Sequence, residues 1–288
     1  MSEKRLALLI TAFGADAVFV QCDPAQRASV YLILGGKLRR GRVDSACKGE
    51  FSDIQFIFQQ IVHDFDHALY MFYFSGTDVE VAGASPETLV KLENNVLRTF
   101  PLAGTRPRGS TEEEDQLLEK ELLEDEKELA EHNMLVDLGR NDLGKISKFG
   151  TVQVESLHSI ERFSHVMHIG STVRGEIRED KDALDAIEAV LPAGTLSGAP
   201  KIRACQLIGE LEKNKRGIYG GAIGYIDFTG NMDTCIAIRI AYKKNGKVFV
   251  RSGAGIVADS VPEKEFEECL NKAKSSLKAL ELAQEEKL

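Results

Sequence analysis

The sequence predicts an α+β fold in which largely antiparallel sheets are flanked by helices. Short apolar, β-branched runs come in groups separated by tight-turn residues, and charged helical stretches stand between those groups. Strands and helices do not alternate one for one, as a doubly wound fold would require, and no internal repeat is strong enough to use. The 288 residues are 43% hydrophobic and 28% charged, ordinary globular material sufficient for one large domain or two smaller ones.

In chain order, apolar runs at 6–10, 17–21 and 29–34 read as strands, with Gly35-Gly36 as a turn. The basic cluster Lys37, Arg39, Arg40 and Arg42 then reads as a solvated surface segment. Strands follow at 70–74, 79–82, 88–92 and 96–100, with turns at Ser75-Gly76 and Asn94-Asn95. Residues 111–135 read as one long charged helix, capped by Ser110 with Glu113 closing a capping box. A β-rich stretch spans 151–177, and helices follow at 181–190 and 199–213, the second with Pro200 in its first turn. The glycine-rich 217–228 reads as a strand. Strands at 234–242 and 247–251 flank Asn245-Gly246, a strong hairpin signal. The last helix runs over 261–285, with Ser260 as its cap and Pro262 in its first turn.

Charge and cysteine usage narrow the function classes. A net charge of −9 and a pI near 5.3 argue against nucleic acid or an anionic membrane as a partner. Five cysteines, with no Cys-x-x-Cys and no zinc-ligand spacing, suit a reducing cytoplasm. The amino-terminal apolar run is too short to span a membrane.

The chemistry gathers at acidic, glycine-rich and isolated polar positions. Glu128/Glu131 and Glu265/Glu268 are each spaced i, i+3, which puts both carboxylates of a pair on one helix face. Two such pairs brought together cannot stay unpaired, because like charges raise one another's pKa. A divalent cation with oxygen ligands and retained waters resolves that, and Mg²⁺ suits it. A solvated helix face is the alternative for each pair alone. Residues 220–225 and 252–255 are glycine-dense beside strands, where backbone amides can approach an anion or simply pack. Residues 194–201 open a helix, a second place for negative charge or a plain cap. His168 lies on a strand. Arg239 sits in an otherwise apolar strand and needs an anionic partner, from the protein or from a substrate.

From Tyr70 to the carboxyl terminus, the chain resembles the catalytic domain of chorismate-utilising enzymes, the anthranilate synthase large subunits most closely. The resemblance is carried by Gly83-Ala84-Ser85-Pro86-Glu87, by 101–109 (Pro-Leu-Ala-Gly-Thr-Arg-Pro-Arg-Gly) and by Glu128-Leu129-Ala130-Glu131-His132 with 137–142. It continues through 191–201 (Leu-Pro-Ala-Gly-Thr-Leu-Ser-Gly-Ala-Pro-Lys), 219–225, 233–239, Ser252-Gly253-Ala254-Gly255 and 262–272. It implies Mg²⁺-dependent conversion of chorismate and ammonia to anthranilate and pyruvate, the first step of tryptophan biosynthesis. The ammonia would come from a glutamine amidotransferase partner. It implies that Glu131 and Glu268 hold the metal, with Glu128 and Glu265 supporting through water. Glu87 matches the acid that protonates the leaving C4 hydroxyl, and burial and nearby carboxylates would raise its pKa. His168 matches the histidine needed for pyruvate loss, and Arg239 and Tyr219 match residues that hold the enolpyruvyl carboxylate. Gly104, Thr105, Thr195, Gly253, Ala254, Gly255 and Lys272 match further substrate contacts. Ala103 stands where related aminodeoxychorismate synthases often carry a nucleophilic lysine, which favours free ammonia as the attacking group.

The resemblance divides the chain into a divergent or truncated segment, 1–68, and a chorismate-binding catalytic domain, 69–288. At 31–40 the chain reads Tyr-Leu-Ile-Leu-Gly-Gly-Lys-Leu-Arg-Arg, where the family has a strand lining the nucleophile's side of the site. His67-Ala68-Leu69 replaces a proline-bearing stretch tied to tryptophan binding, so feedback by tryptophan is expected to be weak or absent. The alternatives are a chorismate-binding remnant without turnover, or a sister enzyme making isochorismate, aminodeoxychorismate or an aminodeoxyisochorismate product.

Overall fold

The computed structural model of the chain describes residues 18–23, 26–34, 37–42, 70–76, 79–163, 166–212, 215–245, 247–258 and 260–285. The run expected at 6–10 and the Gly35-Gly36 turn lie outside them. Among the described residues every strand pairing is antiparallel, and the helices lie between strand groups, so the fold is α+β as predicted. Strands β1 (Val18–Asp23), β2 (Gln26–Leu34) and β3 (Lys37–Arg42) form a three-stranded sheet. The basic cluster Lys37, Arg39, Arg40 and Arg42 lies on β3.

Two sheets carry the rest. Strands β4 (Tyr70–Ser75), β5 (Val79–Ser85), β6 (Thr88–Glu93), β7 (Val96–Thr99) and β8 (Leu102–Pro107) come first. Asn94 and Asn95 turn β6 into β7, both with positive φ (51° and 65°), as a tight two-residue hairpin requires. Helices α1 (Glu112–Glu124) and α2 (Glu126–Gly144) follow, then β9 (Gln153–Arg162) and β10 (Val166–Glu176). Helix α3 (Ala183–Val190), a 3-10 turn (Gly194–Leu196) and α4 (Lys201–Leu211) lead to β11 (Ala222–Ile226), β12 (Met232–Ile236), β13 (Ile240–Lys244) and β14 (Lys247–Val250). Helix α5 (Pro262–Glu285) closes the described chain. The seven-stranded sheet runs β11-β12-β6-β7-β10-β8, with β9 on the other edge of β10; the four-stranded sheet runs β14-β13-β5-β4.

The expected helix over 111–135 is two helices. Asp125 is extended (φ −77°, ψ 103°), and its carboxylate accepts from the amides of Lys127 and Glu128, capping α2. Arg106 on β8 holds the same carboxylate at 2.8 Å. The cap of α1 sits one residue later than expected. Thr111 accepts from the Glu114 amide, and the Glu114 carboxylate accepts from the Ser110 amide. At α5, the Ser260 hydroxyl accepts from the Val257 amide, and the first helical amides, Lys264 and Glu265, bond to Val261 O.

The strand expected over 234–242 is also two strands, in different sheets. β12 belongs to the seven-stranded sheet and β13 to the four-stranded one; Arg239 lies between them with φ +52°. Their partners do the same: β5 pairs with β13, β6 pairs with β12, and Glu87 lies between β5 and β6. Two neighbouring segments therefore cross from sheet to sheet side by side. The Ile236 amide bonds to Glu87 O, and the Ala84 amide bonds to Arg239 O, stitching this seam.

The main core fills the space between the seven-stranded sheet and α2 and α3, with Val90, Leu97, Leu143, Val173, Ala186 and Met232 essentially inaccessible. Phe72, Phe74, Val81, Cys235 and Ile240 make a second cluster beneath the four-stranded sheet. Leu122, Met167 and Ile169 pin α1 and α2 to β10. Among the described residues no helix is long and apolar enough to cross a membrane.

Candidate active site at the sheet seam

Glu87 is held by its backbone on the β5–β6 crossing, where its amide bonds to the Ser85 hydroxyl and its carbonyl receives the Ile236 amide. The residue as a whole is half-buried, but its carboxyl lies deep among protein atoms, and that burial pushes its pKa up to about 7. The Thr195 hydroxyl and the Lys272 ammonium pull the other way. The neighbouring carboxylates expected to assist do not contribute; burial acts alone. Thr195 Oγ1 is itself buried and has no partner of good hydrogen-bond geometry. Behind the pair lies a cavity of about 40 Å³, lined by Glu87, Thr195, Thr88, Thr99, Leu138 and Asp142 among others.

His168 owes its setting to a bulge. On β10 it pairs with Thr105, while Ile169 pairs with Ala103, so Gly104 is the extra residue of β8 and takes φ +73°. The freed Gly104 carbonyl meets His168 Nδ1 at 2.9 Å, with Thr105 Oγ1 at 3.1 Å. A carbonyl only accepts, so Nδ1 carries the proton and Nε2 of the neutral ring keeps its lone pair. Burial lowers the His168 pKa, opposed by the Gly104 bond and reinforced by the charges of Arg239 and Lys272. A Cβ on Gly104 would also stand 3.3 Å from Glu128 Oε2, so this bulge runs beneath the first acidic pair.

Arg239 is half-buried at the seam, and burial lowers its pKa. Among the described residues its guanidinium makes no ion pair, which leaves a desolvated cation facing Tyr219 and His168. Tyr219 is buried, and its segment is tied to the seam by bonds from Gly220 N to Ala237 O and from Ala237 N to Gly221 O. A Cβ added to Gly253 would lie 3.4 Å from the Tyr219 hydroxyl; one on Gly255 would lie 2.6 Å from Glu131 Oε1, too close to fit without displacing that carboxylate. Ala254 is half-buried between them.

The acidic pairs come from α2 and α5. Burial, then the charge on Lys127 in the opposite sense, sets the raised pKa of Glu128; Glu131 is raised by burial and by Glu128. Both also feel Glu268 across the gap between the helices. Glu265 is buried and sits 3.7 Å from Lys127, and Glu268 pairs with Lys272 at 2.5 Å. Among the described residues no three carboxylate, histidine or cysteine groups converge closely enough to hold an ion as they stand. The donor set still fits Mg²⁺: all four groups are hard oxygen donors, and two of them, Glu128 and Glu131, are destabilised as anions by burial and by neighbouring carboxylates.

Thus Lys272 connects the pieces, acting on Glu87, Glu131, Glu268 and His168. Sequence reasoning passed over Asp125 and Lys127. The signal for Asp125 was present: Asp125 and Glu128 have the Asp-x-x-Glu spacing of a helix start.

A profile described as chorismate binding enzyme matches residues 49–278. The chain belongs to this family. It is 62% identical over 216 residues to anthranilate synthase component 1 of Acetivibrio thermocellus, covering 75% of this chain and 44% of the relative. The Aquifex aeolicus protein of the same name is 60% identical over 216 residues, again covering 75% and 44%. Among solved structures, anthranilate synthase component I from Streptococcus pneumoniae superposes with a TM-score of 0.71 at 42% identity, covering 86% of this chain and 51% of that one. A putative isochorismate synthase from Bacillus anthracis gives 0.68 at 27% identity, covering 88% and 65%. The chain therefore spans less than half the length of the curated relatives it matches here. The family is one of enzymes, and residues 49–278 of this chain carry the match to it.

Proposed function

We propose that this chain is the chorismate-converting portion of an anthranilate synthase component 1, forming anthranilate and pyruvate from chorismate and ammonia at the entry to tryptophan biosynthesis. The observation that carries the reading is Arg239: a desolvated guanidinium with no ion pair among the described residues, beside a neutral histidine, with Glu87, an acid pushed up to about 7, on the neighbouring crossing. A substrate with two carboxylates and a poor leaving hydroxyl matches that set. Arg239 and the Tyr219 hydroxyl bind the enolpyruvyl carboxylate. Gly104, Thr105, Thr195, Lys272 and the backbone of Gly253, Ala254 and Gly255 complete the cradle. Glu87, still protonated near neutral pH, donates its proton to the C4 hydroxyl, which leaves as water. His168 Nε2 is free to accept a proton during the loss of pyruvate.

Glu131 and Glu268 would hold Mg²⁺, with Glu128 and Glu265 behind them through water. When bound, the ion fixes the ring carboxylate and draws electron density toward it. Residues 69–288 form the chorismate-binding unit, preceded by the divergent 1–68. The setting is cytoplasmic, and a glutamine amidotransferase supplies the ammonia, in keeping with the name component 1 borne by the relatives.

Incubating the protein with chorismate, Mg²⁺ and an ammonium salt at alkaline pH tests this. The expected products are a fluorescent aromatic amine with the mass of anthranilate, and pyruvate; Glu131→Gln and Glu268→Gln should both abolish them. A product that keeps the enolpyruvyl group would identify a sister enzyme instead. Folded protein that forms no product would overturn the reading.

A further inference from the structure

Three segments that line the site are tied together by a carboxylate that lies outside it. Glu212 follows the last turn of α4. Its two oxygens accept from Arg216 Nε (both at 3.1 Å) and Nη2 (2.6 Å), and from Arg251 Nη2 (2.6 Å). Each arginine then reaches onward. Arg216 Nη1 donates to Leu196 O at 2.6 Å, next to Thr195 in the 3-10 turn. Arg251 Nη1 donates to Lys215 O at 3.1 Å, and its guanidinium carbon stands 5.9 Å from the Tyr219 ring centroid. Arg251 immediately precedes residues 252–255, and the Ser252 hydroxyl bonds to Cys269 O on α5 at 2.8 Å, beside Glu268.

We propose that Glu212 is a positioning residue for substrate recognition. Its charge holds Arg216 by a two-nitrogen fork and Arg251 by a single Nη2 bond, and through them it fixes the Thr195 turn, the Tyr219 ring and the 252–255 loop relative to one another. The half-exposed arginines would repel each other without the anion between them. Removing that charge loosens two irregular segments, 215–221 and 251–255, which have few ladder hydrogen bonds of their own. The strands and α2 keep theirs. The consequence for chorismate rests on the proposed assignment of Tyr219, Thr195 and residues 253–255 to its site; the consequence for local order does not.

The test compares the protein with its Glu212→Gln variant, and with Arg251→Gln, which removes only one arm. Amide hydrogen exchange is expected to accelerate about tenfold in 215–221 and 251–255, and to stay unchanged in 126–144 and 166–176. Calorimetry is expected to show chorismate bound about tenfold more weakly in the presence of Mg²⁺, with kcat within about twofold of the parent. Unchanged exchange in both segments would overturn the proposal, and so would uniform acceleration throughout the chain, which marks a general stabilising contact. Local loosening with undiminished chorismate affinity would overturn the link to recognition. A parent protein that binds no chorismate would defeat the chorismate reading, while the exchange pattern would still decide whether Glu212 orders these segments.

Discussion

Glu87 shows how burial alone can make an acid suited to neutral pH. Its carboxyl is pushed up to about 7 by desolvation, although Thr195 and Lys272 oppose the shift. A carboxyl whose folded pKa lies above its unfolded value binds more protons in the native state between those two values. Its contribution to stability is therefore fully present below the unfolded pKa and is lost as pH rises through about 7. Glu87→Gln removes the ionisation. The variant should melt higher than the parent, by a margin that widens from about pH 5 and levels off above about pH 7, reaching on the order of 2 kcal/mol after allowance for partial exposure. Thermal melts of both proteins across that range decide it. A margin that does not change with pH would mean that the carboxyl is not desolvated in solution. The same residue would lose its activity on substitution, the expected trade between stability and function.

At the scale of elements, the positions where expectation and structure part are those where tertiary contacts override a local pattern. The alternation of strands and the i, i+3 acidic spacing were legible because each is a property of a single element. The break at Asp125 was marked only by the Asp-x-x-Glu spacing of 125–128, which no glycine or proline reinforces, and charged helical residues continue on both sides. It arises because Arg106 on β8 holds the Asp125 carboxylate while that carboxylate caps α2. The sheet change at Arg239 was hidden for a similar reason: apolar residues continue through it, and only the pairing of β13 with β5 shows that the chain has left the first sheet. The residues of the site split the same way. Glu128 and Glu131 announce themselves by spacing, whereas Glu212, outside the site, meets Arg216 4 positions on and Arg251 39 positions on, and only the fold brings the second to it. Asp125→Ala should cost about 1–2 kcal/mol through the lost cap, read by denaturant unfolding. Because Glu128 lies in the first turn of α2, exchange at the amides of 127–130 should rise with it. A variant as stable as the parent would show that water replaces the cap.

On the scale of the whole molecule, the seam between the two larger sheets is what makes a site. Two adjacent segments leave one sheet for the other side by side, and Glu87 and Arg239 lie on those two crossings. Helices α2 and α5 then bring acidic residues toward the gap from distant parts of the chain, and Lys272 lies among the groups so gathered. On the proposed reading the site takes an anionic ligand together with a divalent cation: among the described residues Arg239 makes no ion pair, and burial and Glu268 raise the Glu128 and Glu131 pKa values against the opposing charge of Lys127. Calorimetric titration of chorismate into the protein, with and without Mg²⁺, tests this coupling most directly. Binding is expected only when Mg²⁺ is present, and it should be lost in Glu131→Gln and in Arg239→Met. Equal binding with and without the ion, or full binding by either variant, would contradict the account.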